Sequence, residues 1–182
     1  MEHKHSGIPE TQEIALQLEH YEDIFSDFDT RPYSKRALSV DFLEEIKRAS
    51  RDKNDGPVEL IFSVSKDERN ESHDQTIRDR LSDHFHKHYG MLVVERRRIL
   101  RLGLFMVLLG VVCMILATMI IFKDPTGNLW LSFLVVFLEP AAWFLLWEGM
   151  DQIIFETKSI SHDLNFYRKM SDSHGHIHFH SY

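Results

Sequence analysis

The chain has 182 residues, twelve histidines, one cysteine and a formal net charge of −7. That balance excludes a general polyanion binder, and no nucleic-acid partner is expected. The single cysteine, Cys113, excludes an intrachain disulfide, which fits a reducing compartment.

The first residues, Met1-Glu2-His3-Lys4-His5, lack the apolar core of a signal peptide, so the first membrane helix is expected to direct insertion. From Pro9 to Phe25, Ile14, Leu18, Tyr21 and Phe25 recur on one helical face and predict a helix. Asp27 to Tyr33 breaks it. The acidic run Glu22, Asp23, Asp27 and Asp29 reads as a solvated helix end or as a divalent-cation site. Arg31 to Arg36 is a basic loop, either solvated or able to meet phosphate. Ser39 then caps a second helix through Ala49, with Phe42, Leu43 and Ile46 as its apolar contacts.

Arg51 to Gly56 is a predicted turn. Residues 58–65 alternate as a strand, with Val58, Leu60, Phe62 and Val64 on one face. A polar loop leads to a long helix from about Gln75. Ile77, Leu81, Phe85 and Leu92 form its buried stripe, and Gly90 is a place for a bend. His84 and His88 stand one helical turn apart on it and could face one metal ion.

Leu102 to Phe122 carries no acidic, basic or histidine side chain over 21 residues. At about 1.5 Å per residue it is roughly 31 Å long, the depth of a bilayer core. A Pro-Gly-Asn turn follows, and Leu129 to Trp147 gives a second apolar run with Trp130 and Trp147 near its two ends. Arg96, Arg97, Arg98 and Arg101 precede the first run, while the turn holds only Lys123. Basic residues remain on the cytoplasmic side, so both termini are expected there, in a multi-pass protein of the cell inner membrane. The same arginines could meet anionic headgroups. Gly103, Gly110 and Ala117 repeat every seven residues, a spacing that lets helices approach closely within the hairpin or between subunits. Glu139-Pro140 interrupts the second run near its middle. It reads as part of an ion or proton path or pocket, or as an acid that bonds the carbonyl freed by proline or a neighbouring helix.

Beyond Met150, Ile153, Ile154, Phe155, Ile160, Leu164 and Tyr167 keep an apolar face. After a turn at Ser171 to Gly175, residues 176–182 alternate as a strand, with Ile177 and Phe179 on one side and His176, His178 and His180 on the other. Short connections predict that this strand runs antiparallel to 58–65. If His176 and His178 pack against His84 and His88, zinc or another transition metal is conceivable; otherwise no cofactor is implied.

The expected fold is thus an α-helical membrane protein, a two-helix transmembrane hairpin, with a small α+β cytoplasmic domain containing a two-stranded antiparallel pair formed by residues 58–65 and 176–182. Its segments are 1–50, 51–98, 99–147 and 148–182. The stretch Asp29-Thr30-Arg31-Pro32-Tyr33-Ser34-Lys35-Arg36-Ala37-Leu38-Ser39-Val40-Asp41-Phe42-Leu43-Glu44-Glu45-Ile46 resembles one found in uncharacterised prokaryotic two-transmembrane-helix proteins, as does the Glu-Pro-Ala-Ala-Trp region from Glu139. That resemblance implies a membrane hairpin and no established activity. No Ser/His/Asp elbow, phosphate loop or dinucleotide fingerprint is present, so no enzyme is expected. The first functional expectation is a homo-oligomeric scaffold or sensor at the cytoplasmic membrane face, with the lipid bilayer, further copies of itself and a cytoplasmic protein as partners. The alternatives are a small channel or transporter component with Glu139 in its path, and a histidine-dependent metal-binding membrane protein.

Overall fold

The computed structural model describes residues 12–51, 58–123, 127–172 and 176–182. The elements in order are β1 (Gln12–Gln17), a 3-10 turn (Tyr21–Ile24), α1 (Val40–Arg51), β2 (Val58–Val64), α2 (Glu71–Lys123), α3 (Leu129–Asp151), a π-helical segment (Gln152–Glu156), α4 (Thr157–Asp172) and β3 (Ile177–Ser181). The chain is mostly helical and divides into two compact units. One comprises Met1–Gly90 with Asp163–Tyr182, the other Met91–His162. These limits differ from the expected segments because the two ends of the chain share one sheet.

In the first unit that sheet has three strands in the order β1-β2-β3, all parallel. β2 is central, with Leu60 between Ile14 and Ile177 and Phe62 between Leu16 and Phe179. Its alternation becomes one fully buried face, Val58, Leu60, Phe62 and Val64. Against this face pack Phe42 and Ile46 of α1, Ile77, Leu81 and Phe85 of α2, and Phe166 and Met170 of α4. Four-residue spacing places each helical set on one side of its helix. The opposite sheet face is mostly polar: Glu13, Gln17 and His180 are exposed, Glu59, Ser63 and His178 are half-buried, and Ala15 and Ile61 lie among them.

Two expectations need correction. The segment from Pro9 to Phe25 is not a helix, and residues 9–11 of it lie outside the described residues. Ile14, Leu16 and Leu18 satisfy a two-residue period as well as Ile14 and Leu18 satisfy a four-residue one. The edge of β2 offers hydrogen bonds along a whole strand, which favours the extended form. Tyr21 and Phe25 are still core residues, reached through the 3-10 turn.

The strands at 58–65 and 176–182 are parallel, and a third strand joins them. The reason is where α4 stops. His86 Nδ1 lies 3.0 Å from Ser171 Oγ, so α4 ends beside a point fifteen residues after Glu71, the first residue of α2. That is roughly 22 Å along the helix, about the length of the seven-residue β2. β3 therefore starts at the end of the sheet where β2 starts, and both run the same way. An antiparallel pair would need α4 to return the full length of α2.

The second unit contains the apolar part of α2, which passes unbroken through Gly90, together with α3 and the π-helical segment. The described residues include two helices long and apolar enough to cross a membrane. Most of their apolar side chains are exposed, among them Phe105, Leu108, Val112, Phe133, Phe137 and Trp143. Of the predicted turn, residues 124–126 lie outside the described residues. Gly127 adopts a left-handed φ of 69°, and Asn128 caps α3 by accepting a hydrogen bond from the Trp130 amide. The predicted turns at 51–56 and 171–175 likewise fall largely outside the described residues.

Candidate functional site

The hairpin is closed by small residues on both helices. Gly103, Gly110 and Ala117 of α2 are buried, and so are Ala142 and Gly149 of α3. A side-chain carbon on Gly103 would come within 2.9 Å of the Gly149 carbonyl oxygen, and one on Gly110 within 3.0 Å of the Ala142 carbonyl oxygen. Backbones meet directly here, as small-residue seams permit. The seven-residue spacing on α2 is matched by Ala142 and Gly149. The stripe is thus consumed inside the hairpin and is not free to join subunits.

Glu139 is the eleventh residue of the 23-residue α3. It stands on the flank of the seam and is exposed. Among the described residues it has no hydrogen-bond or ion-pair partner, so neither the carbonyl freed by Pro140 nor α2 takes up the carboxyl group. Pro140 is exposed beside it, and α3 continues past both. Val136 and Trp143, one turn to either side, are exposed too.

Arg96, Arg97, Arg98 and Arg101 are all exposed, and among the described residues none has a hydrogen-bond or ion-pair partner. Most arginines of the first unit behave differently, Arg51 and Arg168 being exposed and unpartnered among the described residues. Arg31 binds Asp29, Arg36 donates to the Ser26 carbonyl, Arg78 to the Ile177 carbonyl and Arg80 to the Arg36 carbonyl. The basic loop at 31–36 thus spends its two guanidinium groups on its own chain.

The histidines form two separate arrangements. The His84 and His88 rings lie 4.2 Å apart, tilted by 33°, and the His88 ring stacks on Tyr167 at 5.2 Å. His84 Nε2 is buried without a hydrogen-bond partner. Burial, then the neighbouring His88, Arg80 and Lys87, pushes the His84 imidazole down to about 4. Burial also lowers His88. On the open sheet face His178 Nε2 lies 3.0 Å from Glu59 Oε1, while His176 is exposed. The strand histidines do not join the helical pair, and among the described residues no group of three or more His, Cys, Asp or Glu side chains is placed to hold one metal ion.

The structure also assembles a polar cluster that sequence spacing does not reveal. At the carboxyl ends of β1 and β2, the buried Tyr21 hydroxyl donates to Asp74 and accepts from the Asn70 amide at 3.1 Å. Arg69 Nε lies 3.4 Å from the same carboxylate. Burial, then the bond to Asp74, pushes the Tyr21 hydroxyl up to about 12. Tyr33 donates to Glu22, and His73 stands edge-on to both tyrosine rings. Its members already satisfy one another, so the cluster works as a latch between the 3-10 turn and the start of α2. A second local device is Asp29, which accepts from the Arg31 side chain, the Arg31 amide and the Ala37 amide; the Arg31 bond leads these in holding its carboxyl far below the usual range. The Asp-x-Arg spacing is the one signal of it in the sequence.

Comparison with protein-family models, with curated proteins and with solved structures found no match for this chain.

Proposed function

We propose that this chain is a non-enzymatic, homo-oligomeric integral membrane protein, a scaffold or sensor whose α/β unit sits at the cytoplasmic face of a prokaryotic inner membrane. Two apolar helices joined by a short turn, with arginines at one end, support the hairpin topology and the cytoplasmic termini. The prokaryotic setting is the one the resemblance implies.

One observation carries the oligomer. Glu139 is exposed in the middle of α3 with no partner among the described residues, although the small-residue seam that closes the hairpin is already complete. A carboxyl group at that depth is costly against lipid and is normally turned toward another helix or water. A second copy of the hairpin supplies that neighbour, with Val136 and Trp143 extending the contact.

The test is the mass of the full-length particle in nanodiscs, for the native chain and for Glu139→Leu. The proposal expects an oligomer that dissociates in the variant. A native chain that is monomeric at every concentration overturns it. A closed ring with Glu139 on its axis replaces the scaffold by an ion path, and proton flux in liposomes, lost in Glu139→Gln, then identifies it.

A further inference from the structure

We infer that Arg97, Arg98 and Arg101 form a binding site for the headgroup phosphate of an anionic phospholipid, and that Arg96 does not belong to it. The inference rests on the membrane reading of the hairpin. At about 100° per residue, Arg97, Arg98 and Arg101 fall within an arc of roughly 100° on α2. The centre of that arc lies about 180° from the direction of Gly103 and Gly110, the side that packs on α3. Arg96 falls on the seam side, and so does Glu95, the nearest acid on the helix.

Three features select a lipid. The guanidinium groups are exposed and unpartnered among the described residues, whereas six of the eight arginines of the first unit have a partner. Guanidinium groups bind phosphate oxygens through paired, charge-assisted hydrogen bonds. Below the arginines, on the same side of α2, Phe105, Leu108, Val112 and Ile115 are all exposed. Phe105 to Ile115 covers about 15 Å of helix, half of a hydrocarbon core of about 30 Å. One side of the helix thus offers three positive charges at the headgroup level and an apolar track one leaflet deep.

The experiment uses the full chain, extracted in mild detergent and offered equimolar phosphatidylglycerol and phosphatidylcholine, with bound lipid counted by native mass spectrometry. The native protein is expected to retain phosphatidylglycerol at least about tenfold over phosphatidylcholine, whose headgroup carries the same phosphate but is made neutral overall by its choline cation, which the three guanidinium charges repel. Arg97→Gln/Arg98→Gln/Arg101→Gln is expected to fall to about twofold or less on the same scale, and Arg96→Gln to keep the native preference. Circular dichroism checks that each variant is folded. The triple lysine variant is the second probe if the glutamine variant does not fold; it keeps the charges, lacks the planar fork and is expected to be intermediate. No headgroup preference in the native protein, or an equal loss in Arg96→Gln, overturns the site. Alkaline carbonate extraction separates this from failure of the membrane reading. Release of the protein from membranes overturns the hairpin itself, whereas retention without headgroup preference overturns only the lipid site.

Discussion

The Gly103 carbonyl oxygen lies 2.7 Å from the point that a side-chain carbon on Gly149 would occupy. The Val107 amide nitrogen is 2.9 Å from the same point. Both neighbours are backbone atoms, so no rotamer change can make room, and the helices themselves must separate. Gly149→Ala is expected to cost about 1–3 kcal/mol, the range for overpacking, and Gly149→Leu more. Gly90 is the internal control. It is also helical, but an added carbon there meets nothing within 4 Å, so Gly90→Ala should stabilise by about 0.5–1 kcal/mol through helix propensity alone. Thermal unfolding of the two variants in one detergent reads the contrast, and an equal effect at the two sites would refute the seam.

Which parts of this architecture are legible in the sequence follows from how local their causes are. The buried face of β2 and the Ile77, Leu81, Phe85 stripe are readable because each obeys one period over a stretch long enough to exclude the other. β1 is not, since Ile14 and Leu18 fit both periods and the choice is made by β2, more than forty residues away. The direction of β3 depends on where α4 ends beside α2, a tertiary fact visible only in the His86–Ser171 contact. At the candidate site, Gly103, Gly110 and Glu139 are conspicuous by residue type alone. Their setting is not: Gly149 and Ala142 complete the seam, and nothing local shows that Glu139 is left outside it.

Acidification should weaken the fold through His84. Its folded value is about 4 against an ordinary 6.5. Between those values the unfolded chain takes up a proton that the folded chain refuses, so stability falls as pH drops through that window and is indifferent to this group above it. His20 contributes with the opposite sign. Its bond to Glu68 raises it, so that contribution is present below 6.5 and fades as pH rises through the raised value; solvent exposure keeps it small. Denaturant midpoints for the native chain and His84→Leu across pH 4 to 8 should converge toward pH 4 if the variant loses packing at high pH but escapes the proton penalty. Parallel curves would show that His84 does not carry the acid sensitivity.

Removing the Tyr21 hydroxyl should cost more than its position in a short 3-10 turn suggests. Tyr21→Phe takes one donor from the buried Asp74 carboxylate and leaves the amide of the exposed Asn70 without its acceptor. A loss of about 1–3 kcal/mol is expected for such an unpaired group. In a double-mutant cycle Tyr21→Phe and Asp74→Asn should be strongly non-additive, because the two changes break the same bond. Additive losses would mean that Arg69 alone satisfies the carboxylate.

Asp29→Ala should act locally rather than globally. Asp29 gathers the Arg31 side chain and the amides of Arg31 and Ala37, but it sits in a surface loop that shows Phe28 fully exposed to solvent. The loop base has other supports: the Ser26 amide donates to the Ala37 carbonyl, Arg36 binds the Ser26 carbonyl, and Phe25 stacks on Tyr33 at 5.0 Å. Loss of the carboxylate should therefore free the tip and leave the base. Hydrogen exchange is expected to quicken at Arg31 and Ala37, the two amides that Asp29 accepts from, while the Ser26 amide and the buried face of β2 keep native protection. If protection instead falls throughout β2, Asp29 supports the core and not merely the loop.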